Sequence, residues 1–260
     1  MYKFLFLIFF SIQLISCDIE NSYRESDGIN KIIKTPNKNI KLFPVESGIA
    51  DAEYKDLELG PFGYENEELK FIMNGATPGT KTPGSENRKS QISGKGLYLH
   101  VVLNDTTHIL YSHRLIPYQL PDGVYKMVAF VARSYHESVK SPKSYYAREF
   151  QVKSGRINKS GPLNQAVLVY AVPSGIYTDE ETENVMLDFY LHNTTIEPGA
   201  NKVRVLIDNK TEFIIDKWQA YYISGLGLGE HILELELQNS KGQRIYGPVR
   251  QQFLLQKSKK

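Results

Sequence analysis

The chain has 260 residues, with 31 basic and 29 acidic side chains and a formal net charge of +2. So even a balance excludes the basic footprint of a nucleic-acid-binding protein, and a single cysteine excludes a disulfide framework. Aromatic residues make up 12% of the chain, 17 of them tyrosine against one tryptophan, which suits strands that carry an apolar ring with a wet hydroxyl.

The first element is a leader. Met1-Tyr2-Lys3 gives a positive start, residues 4–15 an apolar run interrupted by Ser11 and Gln13, and Ser16 a small residue before Cys17. The run is too short to span a bilayer, which takes about 20 apolar residues. Leu14-Ile15-Ser16-Cys17 resembles the cleavage site of bacterial lipoproteins. The resemblance covers residues 1–17. It implies that residues 1–16 are removed, that the Cys17 thiol receives a diacylglycerol, and that the new amine is acylated, palmitate being the usual chain. The implied address is the bacterial cell envelope, at the outer membrane ahead of the inner, with the membrane reached through lipid on Cys17. Each buried methylene contributes about 0.8 kcal/mol, so two or more chains anchor a protein stably. What remains is 260 − 16 = 244 residues, room for one large or two small domains.

Residues 17–58 read as the lipidated N-terminus and a flexible tether, because Asp18-Ile19-Glu20-Asn21-Ser22 and the Lys-, Asn- and Pro-containing text after it hold little apolar surface. Ile32-Ile33 and Leu42-Phe43 are the exceptions, apolar enough to dock as an added strand; both readings stay open. From Leu59 the text changes to short alternating runs between turn signals. Strands are expected over 69–73, 97–103, 108–111, 124–131 and 146–152, with turns at Asn74-Gly75, Asn104-Asp105-Thr106-Thr107 and Pro121-Asp122-Gly123. The second half repeats the order, with strands over 202–207, 211–215, 231–237 and 250–255. Asn104 matches Asp208 at an offset of 104, Gly123 matches Gly229 at 106, and Phe150 matches Phe253 at 103. Three landmarks at nearly one spacing point to an internal duplication.

No stretch has a long 3.6-residue apolar period, so helices should be few. The expected fold is all-β: two tandem immunoglobulin-like or fibronectin-like β-sandwiches, residues 59–157 and 158–260, joined at Asn158-Lys159-Ser160-Gly161-Pro162. A single larger jelly roll is the alternative.

Two constellations could carry chemistry. If Leu103 pairs with His108, His100 lies opposite Tyr111 and Tyr98 opposite His113, which makes His100 and His113 diagonal neighbours about 7–8 Å apart on one face. With His136 from a later loop they would form a three-imidazole metal site. The other is the loop Arg133-Ser134-Tyr135-His136-Glu137-Ser138-Val139-Lys140, which follows an apolar strand and gathers a cation, an aromatic ring, an imidazole and hydroxyls at one end of a sandwich. Arg133, Tyr135 and His136 are the expected ligand-binding residues. Leu120-Pro121-Asp122-Gly123, the 134–138 stretch, Leu187-Asp188-Phe189-Tyr190-Leu191 and Lys217-Trp218 together resemble a family of envelope lipoproteins of the flavobacterial kind, over residues 65–255. That family implies no catalytic residue.

Nucleophilic catalysis finds no frame: there is no Gly-x-Ser-x-Gly elbow, and Gly225-Leu226-Gly227-Leu228-Gly229 has no following Lys-Ser/Thr for a phosphate loop. The expectation is a non-enzyme without cofactor, a membrane-anchored binding or scaffolding module whose partner is an envelope protein or a glycan and not nucleic acid. The alternative is a periplasmic metal-handling protein that uses His100, His113 and His136.

Overall fold

A computed structural model describes residues 29–34, 39–45, 54–88 and 91–258. The leader, Cys17 and its cleavage site lie outside the described residues. The described residues fold as two β-sandwiches, and among them helix is confined to two short 3-10 turns, Ser85–Asn87 and Asp179–Thr182.

Strands β1 (Ile29–Lys34) and β2 (Lys41–Pro44) come first in the chain. Module 1 follows. One sheet holds β3 (Glu58–Glu65), β4 (Glu68–Asn74) and β7 (Leu115–Pro117). The other runs β10-β9-β8-β5-β6, from β5 (Tyr98–Leu103), β6 (Thr107–Tyr111), β8 (Gly123–Ala132), β9 (Tyr145–Lys153) and β10 (Arg156–Pro162). Alternation fills the space between them: Leu69, Phe71 and Met73 of β4 face Leu99, Val101 and Leu103 of β5 and Met127, Ala129 and Val131 of β8.

Module 2 repeats this plan with β11 (Val167–Val172), β12 (Gly175–Thr178), β13 (Asn184–His192), β14 (Lys202–Ile207), β15 (Thr211–Ile215), β16 (Tyr221–Ser224), β17 (Gly229–Gln238) and β18 (Arg244–Gln256). Its sheets are β11-β13-β16-β2 and β1-β15-β14-β17-β18-β12. The landmarks matched in sequence occupy equivalent places. The Asn104 amide donates to the Lys126 carbonyl while its Oδ1 accepts the Lys126 N–H, each at 2.9 Å. Asp208 does the same with Ile232, at 2.8 and 2.9 Å. Phe150 lies opposite Tyr125 and Phe253 opposite His231, each partner two residues beyond Gly123 or Gly229.

Three expectations are decided by the structure. Of the two readings left open within residues 17–58, the added strand holds at both apolar pairs: β1, which contains Ile32-Ile33, pairs with β15, and β2, which contains Leu42-Phe43, pairs with β16, so these strands close one edge of each sheet of module 2. Leu42, Ile40 and Val45 are buried there, and Tyr54 and Leu57 enter the core of module 1. A few apolar residues suffice because the sheet edges they join supply the backbone partners and the rest of the core. The module boundary also moves. Ser154 and Gly155 turn the chain at φ of 52° and 71°, and β10 pairs back onto β9 as far as Pro162. Its polar text resembles a linker because it forms a wet edge strand. Third, Leu103 pairs with Thr107, not His108.

The modules stack face to face. Val102, Val128 and Phe130, on the outer face of the β8/β5 sheet, pack against Val167, Val169 and Tyr190 on the outer face of β11 and β13. Strands β5, β11 and β13 are therefore buried on both faces, which is why they read as near-continuous apolar runs.

Candidate functional site

The turn after β5 has three residues, Asn104, Asp105 and Thr106, with the first two at φ of 49° and 66°. A one-residue slip from the expected register exchanges faces. His108 comes onto the face of His100, and His113 leaves it. His100 Nε2 lies 2.9 Å from His108 Nδ1, its ring stands 4.7 Å from Phe130, and its Nδ1 is buried without a hydrogen-bond partner. His113 stacks edge-on against Tyr111. His136, at φ 71°, places Nδ1 2.8 Å from the Tyr98 hydroxyl. Burial pushes His100 well below the ordinary imidazole value, lowers His108, and takes His136 down to about 4. The three expected ligands thus do not converge, and among the described residues no group of three His, Cys, Asp or Glu side chains is placed to hold a metal ion.

The 133–140 loop is an internal clasp and not a displayed surface. Arg133 is 0% exposed and Tyr135 1%. Arg133 Nη1 donates to the Ser138 carbonyl at 3.3 Å, faces Glu137 at 3.5 Å and lies over the Tyr54 ring. Tyr135 packs on Val45, Val172 and Met186 of module 2, with the Arg88 guanidinium 4.2 Å above its ring. The cause is Asp188, a fully buried carboxylate in the middle of β13. A charge there needs partners, and the loop of module 1 supplies them: the Ser138 N–H at 2.6 Å and the Lys140 ammonium at 2.5 Å.

Where this clasp reaches solvent, the seam opens into a cleft of about 500 Å³. Lys140, Pro142 and Tyr145 of module 1 form one wall, and Asn193, Thr194 and Trp218 of module 2 form the other. Trp218 is the chain's one tryptophan. Its indole N–H donates to the Phe189 carbonyl at 3.0 Å and its ring stands perpendicular to Tyr190 at 5.0 Å, so it is held in place while part of its surface stays open. Tyr145 packs on Tyr190 at 5.1 Å, and its hydroxyl lies 3.4 Å from His192 Nδ1. The cleft thus combines rigid aromatic surface with the Asn193 side-chain amide and the hydroxyls of Ser141, Thr194 and Thr195, while the Lys140 ammonium at its wall is held by Asp188 and Ser138. That suits a ligand with apolar faces and many hydroxyl groups. Sequence reading gave Trp218 no role, since its site exists only after two distant modules dock. The both-faces-apolar text of β11 and β13 was the available signal that they would.

No protein-family model matches the chain, and no curated protein matches its sequence. Among solved structures, the fibronectin(III)-like modules of CbhA from Clostridium thermocellum are 11% identical, over 77% of this chain and 94% of that one, with a TM-score of 0.30. SGBP-B of the mixed-linkage glucan utilization locus of Bacteroides ovatus, in complex with a mixed-linkage heptasaccharide, is 10% identical over 86% of this chain and 72% of that one, with a TM-score of 0.17. At such TM-scores neither likeness bears on ligand or role.

Proposed function

We propose that the chain is a lipid-anchored, non-catalytic binding protein of the bacterial cell envelope that holds a glycan in the cleft between its two sandwiches. The observation that supports this reading most is the cleft itself, where Trp218 and Tyr145 are immobilised by Tyr190 and polar groups ring the opening. Anchoring through Cys17 rests on the leader and its cleavage site. Cys17 precedes Ile29 by 29 − 17 = 12 residues. At ~3.5 Å per residue, lipid on Cys17 would hold the start of β1 within about 40 Å of the bilayer. The anchor would therefore restrain the paired modules closely.

The test is a glycan array probed with the purified chain and with Trp218→Ala and Tyr145→Ala. The reading expects a defined subset of saccharides to be bound by the wild type. Each substitution should cost about 2 kcal/mol, roughly thirtyfold in affinity, as for a buried aromatic anchor. A blank array from folded wild-type protein contradicts it, as does undiminished binding by Trp218→Ala.

A further inference from the structure

The edges of the four sheets are protected unequally. Exposed edge strands recruit other strands unless charge, proline or a bulge blocks pairing. Strand β1 carries Lys31 and Lys34, β2 has Lys41 and Pro44, β3 has Glu58 and Pro61, β7 ends in Pro117, and β10 has Arg156, Lys159 and Pro162. Strand β12 is only four residues long and its Ile176 carbonyl already accepts a hydrogen bond from the Gln91 side chain, and all six residues of β11 are buried. Strand β6 differs from every one of these. It reads Thr107-His108-Ile109-Leu110-Tyr111, without lysine, arginine, acid, proline or glycine, and each residue is half-buried. Among the described residues no strand pairs with its outer side.

The chain itself shows what such an edge accepts. Leu103 opposite Thr107 corresponds to Ile207 opposite Thr211, so β6 and β15 hold the same position in their modules. Strand β15 reads Thr211-Glu212-Phe213-Ile214-Ile215, is fully buried, and carries β1 antiparallel along its outer side. The edge that β1 covers in module 2 is open in module 1.

We propose that β6 pairs antiparallel with β6 of a second copy of this chain. The sequence complements itself about Ile109: Ile109 meets its counterpart, His108 meets Leu110 and Thr107 meets Tyr111, with no like charges opposed. Such a contact is isologous and closes on itself as a dimer. The pairing needs no lipid, although two copies held on one membrane would meet at raised local concentration. It is independent of the cleft, which lies at the seam.

The experiment uses the chain with Cys17→Ser, which removes both the lipid acceptor and the one native thiol. Sedimentation equilibrium from micromolar to millimolar protein should show the mass doubling. Ile109→Lys and Ile109→Glu should each hold the chain at monomer mass, and mixing the two should restore the dimer. Ile109→Cys should crosslink to twice the mass on oxidation, while Val124→Cys, at a site 60% exposed on β8, should not. Should Ile109→Lys unfold module 1, the crosslinking comparison decides. Wild-type protein that stays monomeric throughout overturns the proposal, as does Ile109→Cys crosslinking no faster than Val124→Cys.

Discussion

Phe130→Ala tests whether the two sandwiches unfold as one body. Phe130 is 0% exposed, stacks on Tyr190 across the seam at 4.9 Å with planes 16° apart, and lies 4.7 Å from His100. Removing a buried phenylalanine ring costs about 3–5 kcal/mol. About 0.5–1.5 kcal/mol of that is the stacking geometry beyond area burial. The loss falls between modules, because the ring's cluster includes Val102 and Val128 from one and Val167, Val169 and Tyr190 from the other. Phe213→Ala is the control: Phe213 is fully buried in the interior of module 2 and away from the seam. Urea unfolding would be followed by Trp218 fluorescence, which reports the seam, and by far-ultraviolet circular dichroism, which reports all strands. The wild type should give one coincident transition. Phe213→Ala should move both probes together, whereas Phe130→Ala should separate them, with the fluorescence change first. A Phe130→Ala cost under about 1 kcal/mol would refute the reasoning. So would probes that remain coincident in that variant.

Acid should loosen the same seam. Burial holds the His136 imidazole down to about 4, below its ordinary 6.5, so the folded chain binds fewer protons than the unfolded chain across that interval. Stability is complete above about 6.5 and lost as pH falls through about 4, by about 3 kcal/mol for this group. The shifts of His100 and His108 act in the same direction. His136→Asn, which tolerates the positive φ, should flatten the pH dependence of the urea midpoint; an unchanged slope counts against the assignment. Lys140→Met removes the ammonium from fully buried Asp188 and should cost about 3–5 kcal/mol in urea unfolding, with Asp188→Asn restoring part of it; a loss without that partial rescue would argue against the pair. At Gly225, φ is 79° and an added Cβ would sit 1.9 Å from the Asn39 carbonyl oxygen. Gly225→Ala should therefore free β2 from β16, seen as faster amide exchange at Phe43 and Val45, whose N–H groups lie on the β16 side of this edge strand, and retained protection there would disprove that contact.

How much could be read from the sequence depended on where the governing contacts lie. Alternation in 69–73 and 202–207, and the paired landmarks Asn104/Asp208 and Gly123/Gly229, are local signals, and they placed strands where β4, β14, β8 and β17 lie. The β5–β6 register was missed by one residue because Thr107 continues the strand while resembling turn text. That single slip misassigned every histidine partner on the hairpin. The 133–140 loop was misread for a different reason. Arg, Tyr and His look like a displayed surface, but a carboxylate 50 residues later, Asp188, draws the loop inward through the Ser138 amide and Lys140. Nothing near Arg133 in sequence announces Asp188. The cleft was illegible likewise, since Tyr145 and Trp218 meet only after the modules dock.

Trp218 is the chain's one tryptophan and lines the cleft, so its intrinsic fluorescence reports occupancy there without a label. Titrating the folded chain with the best-retained oligosaccharide from the array should give a saturable shift in emission. Tyr145→Ala should weaken that response by roughly thirtyfold. An emission spectrum that stays unchanged while the same saccharide demonstrably binds would place the ligand elsewhere and contradict the account.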